Sequence, residues 1–321
     1  MAISLTRKSF SAERYGSLIA LAVLVLASSV MSPHFLQPQN ILNILRQVSY
    51  TGIIALGMTY VIIGGGIDLS VGSLAAFAGA LGVIAMNALG NAGKPEWAGV
   101  LAAVLVAVAV GGAGGALNGF MVTKGRIAPF IVTLGTMAIF RSLTLYMGDA
   151  GEFTSGNMLF SDIGAAVVGF VPVPVWILAA LAACFSVLLT RTRYGRYVRA
   201  VGSNQRVALY SAIDVDSVRF RTYVLTGLVV GVSAVLISMR FNGVGTSTLG
   251  INYELDAIAA VIIGGTAMAG GSGTIVGTVI GAVILGVINN MLNLVGVSPY
   301  LQGTVKGLVI ICAVLIQRRK N

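Results

Sequence analysis

The sequence predicts an all-α, polytopic membrane protein of about ten transmembrane helices. Three observations carry that prediction. Of 321 residues, 57% are apolar and only 9% are charged, whereas soluble domains run near a quarter charged. The apolar residues gather in runs approaching the roughly 20 needed to cross a hydrocarbon core. The bases fall in alternate intervening segments, as the positive-inside rule requires. A disordered chain is excluded, since it would be poor in apolar residues and rich in charge. The net charge of +10 would point to nucleic acid in a soluble protein. Here cytoplasmic loops account for it, and no nucleic-acid partner is expected.

The first run, 16–31, follows Arg7, Lys8 and Arg14 and resembles the opening of a secretory signal peptide. No small-x-small cleavage site follows, so it is expected to stay as a first helix with its N-terminus inside. Further runs lie at 50–66, 69–89, 97–123, 129–147 and 173–190. After an arginine-rich stretch come 223–239, 257–269, 274–294 and 301–316. An even count places both termini on the cytoplasmic side, in a single transmembrane domain covering 1–321. Inside segments then hold fifteen bases and outside segments only Arg46, Lys94 and Arg240, with Arg141 and Lys306 left at membrane depth. The loop carrying Asp149, Glu152 and Asp162 falls outside. All seven prolines sit in loops or at segment starts, where a missing N–H costs least. The run 257–269 is too short to span alone, and is either a half-helix or extends back through Glu254 and Asp256.

Glycine lies inside the spans. Gly111 with Gly115, Gly227 with Gly231, and the series Gly273, Gly277, Gly281 follow small-xxx-small spacing, which lets helices approach closely in lipid. The string Val61-Ile-Ile-Gly-Gly-Gly66 recurs as Val261-Ile-Ile-Gly-Gly-Thr266. The echo is expected from an internal two-fold repeat of a glycine-broken segment, a pointer to a transport pathway.

Catalytic chemistry is not expected. His34 is the single histidine, which argues against His-based metal sites and Ser-His hydrolysis. The G-x-x-x-x-G-K-[ST] pattern is absent, so no P-loop is available. No metal or cofactor is expected, and Cys184 and Cys312 read as small buried residues. Asp68, next to Ser70, either caps the helix beginning near Leu69 or serves in gating. Arg141 and Lys306 either pair with a carboxylate or snorkel. Glu254 and Asp256, two apart, face different ways and form no dyad. Asn118, Asn289, Asn290 and Asn293 suit interhelical hydrogen bonds or a sugar's hydroxyls. With Asp68 and Ser70 they are the candidates for the translocation pathway or its gate. The segment 191–221 carries seven arginines, open to lipid headgroups. It also offers a small apolar face of Ala208, Leu209, Ser211, Ala212 and Ile213 that fits a partner's groove.

These residues resemble a known family. Gly57-Met58-Thr59, Gly66-Ile-Asp-Leu-Ser-Val-Gly-Ser73, Thr192-Arg-Tyr-Gly-Arg-Tyr197 and Tyr253-Glu-Leu-Asp-Ala-Ile-Ala-Ala260 are similar to the permease subunit of ribose-type ABC sugar importers. Gly264-Gly265-Thr266, Gly270-Gly271 and Asn289-Asn290 add to the likeness, which runs from about residue 32 to 317. The resemblance implies an inner-membrane permease dimer that receives a pentose or hexose from a periplasmic sugar-binding protein. A cytoplasmic ATP-binding cassette ATPase would drive it. It also implies that Gly202, Asn204, Ala208, Leu209, Ser211 and Ile213 belong to the segment coupling to that ATPase. Ala212 stands where the family has glycine. The alternative function is an ion-coupled secondary sugar transporter, which would need a titrating intramembrane carboxylate.

Overall fold

The computed structural model describes residues 12–318, so Arg7, Lys8, Arg319 and Lys320 lie outside the described residues. Each of the ten apolar runs overlaps a helix, although the run 257–269 leaves its helix at Ile263 and ends in a turn. The first is α1 (Ala12–Met31); then come α2 (Pro38–Ile63), α3 (Val71–Asn91), α4 (Glu96–Thr123) and α5 (Pro129–Met147). Strand β1 (Glu152–Thr154), short helix α6 (Met158–Ala165) and strands β2 (Val167–Val168) and β3 (Val171–Pro172) precede α7 (Val173–Arg191). Two small helices follow, α8 (Arg193–Ser203) and α9 (Gln205–Tyr210), before α10 (Val215–Phe241). Strand β4 (Gly243–Gly245), α11 (Tyr253–Ile263), α12 (Ile275–Leu294) and α13 (Pro299–Arg318) complete the chain. Among the described residues, seven helices are long and apolar enough to cross a membrane: α2, α3, α4, α5, α7, α10 and α12. This is a multi-pass, essentially all-α membrane protein.

Helix starts follow local chemistry. Proline stands in the first turn of α2, α5 and α7, where its fixed φ is preorganised and its missing N–H was unpaired anyway. Thr274 Oγ1 caps α12 by accepting from Gly277 N at 3.0 Å, and Asp214 caps α10 by accepting from Ser217 N at 3.0 Å. The ends of α2 and α11 are twins. Gly65 N donates to Ile62 O and Gly265 N to Ile262 O, both at 2.9 Å. Gly66 N reaches Val61 O at 2.9 Å, as Thr266 N reaches Val261 O at 3.1 Å. Both are Schellman stops, with Gly65 and Gly265 at φ 77° and 87°, a region open to glycine at little cost.

Packing divides the helices into an inner and an outer set. The apolar stretches of α3, α10 and α12 are 67% buried, those of α5 and α7 only 28% and 22%. The α4–α10 crossing depends on the predicted glycines: a Cβ on Gly111 would strike Gly227 O, and one on Gly227 would strike Gly111 O. A Cβ on Gly115 would meet Tyr223 O, and one on Gly231 would meet Ala107 O. Helices α11 and α12 meet in the same way, Gly281 against Ala260 O and Gly277 against Gly264 O. Gly273 does not belong to that helical row. It precedes the Thr274 cap, in the turn, against the Thr266 side chain.

Two further expectations are corrected. Cys184 is exposed on α7, because this outer helix turns much of its apolar surface outward; the side chain of Cys312 lies outside the described residues. The α2 helix begins at Pro38, twelve residues before its apolar run, because polar Gln39, Asn40, Asn43, Arg46 and Gln47 interrupt the hydropathy without breaking the helix. Two short antiparallel ribbons also join the architecture, a long-range one of β1 with β4 and a hairpin of β2 with β3. They cap the end that carries Glu96, where Asn157 Nδ2 bonds Glu96 O at 2.8 Å and Leu159 N bonds Glu96 Oε2 at 3.0 Å. The opposite end gathers the turns 64–70, 192–214 and 264–274 and most of the arginines.

Candidate functional site

At the basic end, α8 and α9 form a compact unit fastened to the membrane helices. Thr192 Oγ1 caps α8 by accepting from Gly195 N at 3.2 Å. Its buried face is Gly195, Val198 and Val201, while Arg191, Arg193, Arg196, Arg206 and Arg221 are exposed. Tyr194 stacks on Tyr60 of α2 with ring centroids 6.1 Å apart, and burial pushes its phenol above the usual tyrosine range. A Cβ on Gly202 would overlap Ile63 O, the last carbonyl of α2. That same carbonyl accepts from Gly271 N at 2.8 Å. One carbonyl thus joins the end of α2, the end of α8 and the turn before α12.

The six predicted coupling residues divide by role. Gly202 permits the close approach just described. Asn204 caps α9, its Oδ1 accepting from Arg206 N at 3.0 Å and Val207 N at 3.1 Å. Ala208 is 2% exposed, and its carbonyl accepts Ser211 N and Ile213 N, both at 3.1 Å. Ile213 packs half-buried on the core. Ala212 holds the left-handed position at φ 57°, completing a Schellman stop without glycine. Four of the six therefore shape the segment, and Leu209 and Ser211 face outward. Val207 and Tyr210, which the sequence did not single out, widen the exposed face: Val207, Leu209 and Tyr210 are 58%, 54% and 88% exposed. On a helix as short as α9, no periodicity distinguishes them from Ala208.

Asp68, Ser70 and Asn118 come together in one buried network. Asp68 Oδ1 accepts from Ser70 N at 2.9 Å and Ser70 Oγ at 2.7 Å. Asn118 Nδ2 then donates to Ser70 Oγ at 2.8 Å, and Thr136 Oγ1 to Asn118 Oδ1 at 2.8 Å. This ties the turn before α3 to α4 and α5; all four side chains are at most 1% exposed. The asparagines of α12 lie elsewhere. Asn290 exchanges two hydrogen bonds with Asn40, at 2.7 and 3.0 Å, and Asn293 accepts from Gln302 Nε2 at 2.7 Å. Asn289 is buried with its Oδ1 unpartnered. Lys306 on α13 pairs with Asp256 on α11 at 3.0 Å. Arg141 instead donates to two carbonyls, Thr246 O at 3.0 Å and Leu249 O at 2.9 Å. Among the described residues no cluster could hold a metal.

The family described as the permease component of a branched-chain amino acid transport system matches residues 40–314. The chain belongs to this permease family. Over 311 residues it is 42% identical to the ribose import permease protein RbsC of Bacillus subtilis (strain 168), covering 96% of this chain and 94% of that protein. It is 39% identical over 310 residues to the D-allose transport system permease protein AlsC of Escherichia coli (strain K12), covering 95% and 92% of the two chains. Identity to the L-arabinose transport system permease protein AraH of the same strain is 33% over 309 residues, covering 96% and 92%. The permease is a membrane transport subunit and not an enzyme.

Proposed function

We propose that the permease imports a monosaccharide, ribose or a related pentose or hexose, as the membrane subunit of an ATP-driven importer. The observation that supports it most is near full-length similarity to permeases named for three different monosaccharides. In this reading the protein lies in a bacterial inner membrane, crosses it ten times, and has both termini and its basic end in the cytoplasm. The matched stops of α2 and α11 lie at that one end, as in a parallel internal repeat about an axis along the membrane normal.

The ATPase subunit docks on α8–α9, where Val207, Leu209 and Tyr210 offer an exposed apolar patch next to the exposed Arg206. Closure of the ATPases moves this unit, and Ile63 O passes the displacement to α2 and the turn before α12. Interiors packed this tightly shift as rigid pieces rather than yielding locally. The periplasmic sugar-binding protein meets the opposite end, at 32–46, 148–171 and 240–245, where Met158, Val168 and Phe170 are exposed. A second permease subunit supplies the other wall of the pathway.

The test is a pull-down and ATPase assay with cassette ATPase subunits. Tyr210→Asp and Leu209→Asp are expected to weaken binding at least tenfold, while the chain itself stays folded. Ala208→Arg is a poor probe, because Ala208 points inward. No ATPase partner, together with uptake driven by a proton or sodium gradient, overturns the proposal.

A further inference from the structure

The chain between α10 and α11 does not stay at the membrane surface. It leaves the end marked by Glu96 as β4, paired with β1, whose Thr154 O accepts from Asn87 Nδ2 at 2.9 Å. It then descends along α3. Val244 packs where a Cβ on Gly79 would stand, and Gly250 abuts the carbonyl of Gly72, the second residue of α3. Arg141, which grips Thr246 O and Leu249 O, lies inside α5 and not at either end of that 19-residue helix. It sits about 18 Å from the helix start at 1.5 Å per residue. Helix α11 then has 11 residues, about 16 Å, beside the 20 residues of α12. Its far end, at Gly264, aligns with Gly277 near the start of α12, so its first turn lies partway up the bundle.

Residues 246–252 are therefore non-helical backbone at membrane depth. Thr246, Leu249 and Gly250 are buried, while Ser247, Thr248, Ile251 and Asn252 are exposed. Irregular backbone that faces hydrocarbon leaves amides and carbonyls without partners, at several kcal/mol each, and occurs only where protein or water covers it. The exposed polar groups are two hydroxyls and one amide, with the Ile251 side chain beside them 50% exposed. Thr248 Oγ1 holds only a 3.5 Å contact to Gly245 O, so it is available to a neutral, hydroxyl-rich ligand.

We propose that residues 246–252 line the aqueous sugar path at mid-membrane, presenting Ser247, Thr248 and Asn252 to the passing sugar. This rests on the importer reading above, and it places the path away from the buried Asp68–Ser70–Asn118 network.

The experiment uses the whole transporter in membrane vesicles, with Cys184→Ser and Cys312→Ser as background. Ser247→Cys, Thr248→Cys and Asn252→Cys are each treated with a charged, membrane-impermeant methanethiosulfonate. Leu105→Cys and Val187→Cys, on the exposed faces of α4 and α7, are the lipid-facing controls. Expected is labelling at least tenfold faster than in the controls, with uptake reduced fivefold or more once labelled. Labelling as slow as in the controls overturns the proposal. So does fast labelling that leaves uptake unchanged, since the segment would then be wet but off the path. If the unlabelled background shows no ATP-driven sugar uptake, the importer reading has failed instead.

Discussion

Consider Gly227→Ala at the α4–α10 crossing. The new methyl would occupy the position of Gly111 O and press on the Gly115 backbone. A carbonyl in a helix cannot rotate away, so the two helices must part by about 1 Å, near the gap that forfeits a quarter to a half of each van der Waals contact. Overpacking of this kind costs about 1–3 kcal/mol, offset by up to about 1 kcal/mol from alanine's better helix propensity. A net loss of about 1–2 kcal/mol is expected. Gly111→Ala should cost about the same, since its Cβ would meet Gly227 O. Because either methyl opens the same gap, the double variant should lose at least about 1 kcal/mol less than the sum of the singles, a coupling expected only of residues in contact. Gly135→Ala on α5 is the control, with open space around its Cβ. Unfolding by denaturing detergent titrated into mixed micelles reads all four. Strict additivity, or a Gly227→Ala variant as mild as Gly135→Ala, would refute the packing argument.

Three further outcomes are expected. Ala212→Gly relieves a left-handed alanine and should stabilise the α9 turn by about 1 kcal/mol, seen as slower amide exchange at Ala208–Ile213 contacts; unchanged exchange would mean the turn carries no strain. Asp68→Ala leaves the Ser70 donors unpaired and should cost about 1–3 kcal/mol, whereas Asp68→Asn retains the Oδ1 acceptor and should cost much less. Equal losses for the two would show that the carboxylate charge, not the acceptor, matters. Lys306→Met strands a buried Asp256 and should cost about 3 kcal/mol, largely recovered by adding Asp256→Leu; a double variant worse than the single contradicts the pairing.

The helical runs, the breaks at Gly64–Gly65 and Gly264–Gly265, and the small-xxx-small glycines of α4 and α10 were legible in the sequence, whereas the pairing of those two helices was not. Hydropathy, φ restriction and backbone approach are properties of neighbouring residues and short spacings. Within the α8–α9 unit the sequence did not show which residues face outward, since Ala208 and Leu209 are adjacent and differ only in what lies behind them. The 257–269 run, too short to span, hinted at a broken segment without revealing where the preceding chain goes.

Sequence alone determined that this chain lives in a membrane, where most of its helices lie, and which family it resembles. Tertiary structure decided that Asp68, Ser70, Asn118 and Thr136 form one buried relay. It also decided that Arg141 holds two carbonyls rather than a carboxylate, and that residues 246–252 descend along α3. Apart from the local Asp68–Ser70 bond, these depend on contacts between residues 18 to more than a hundred positions apart. Burial of polar groups in a low-dielectric interior then leaves few arrangements in which every donor finds its acceptor.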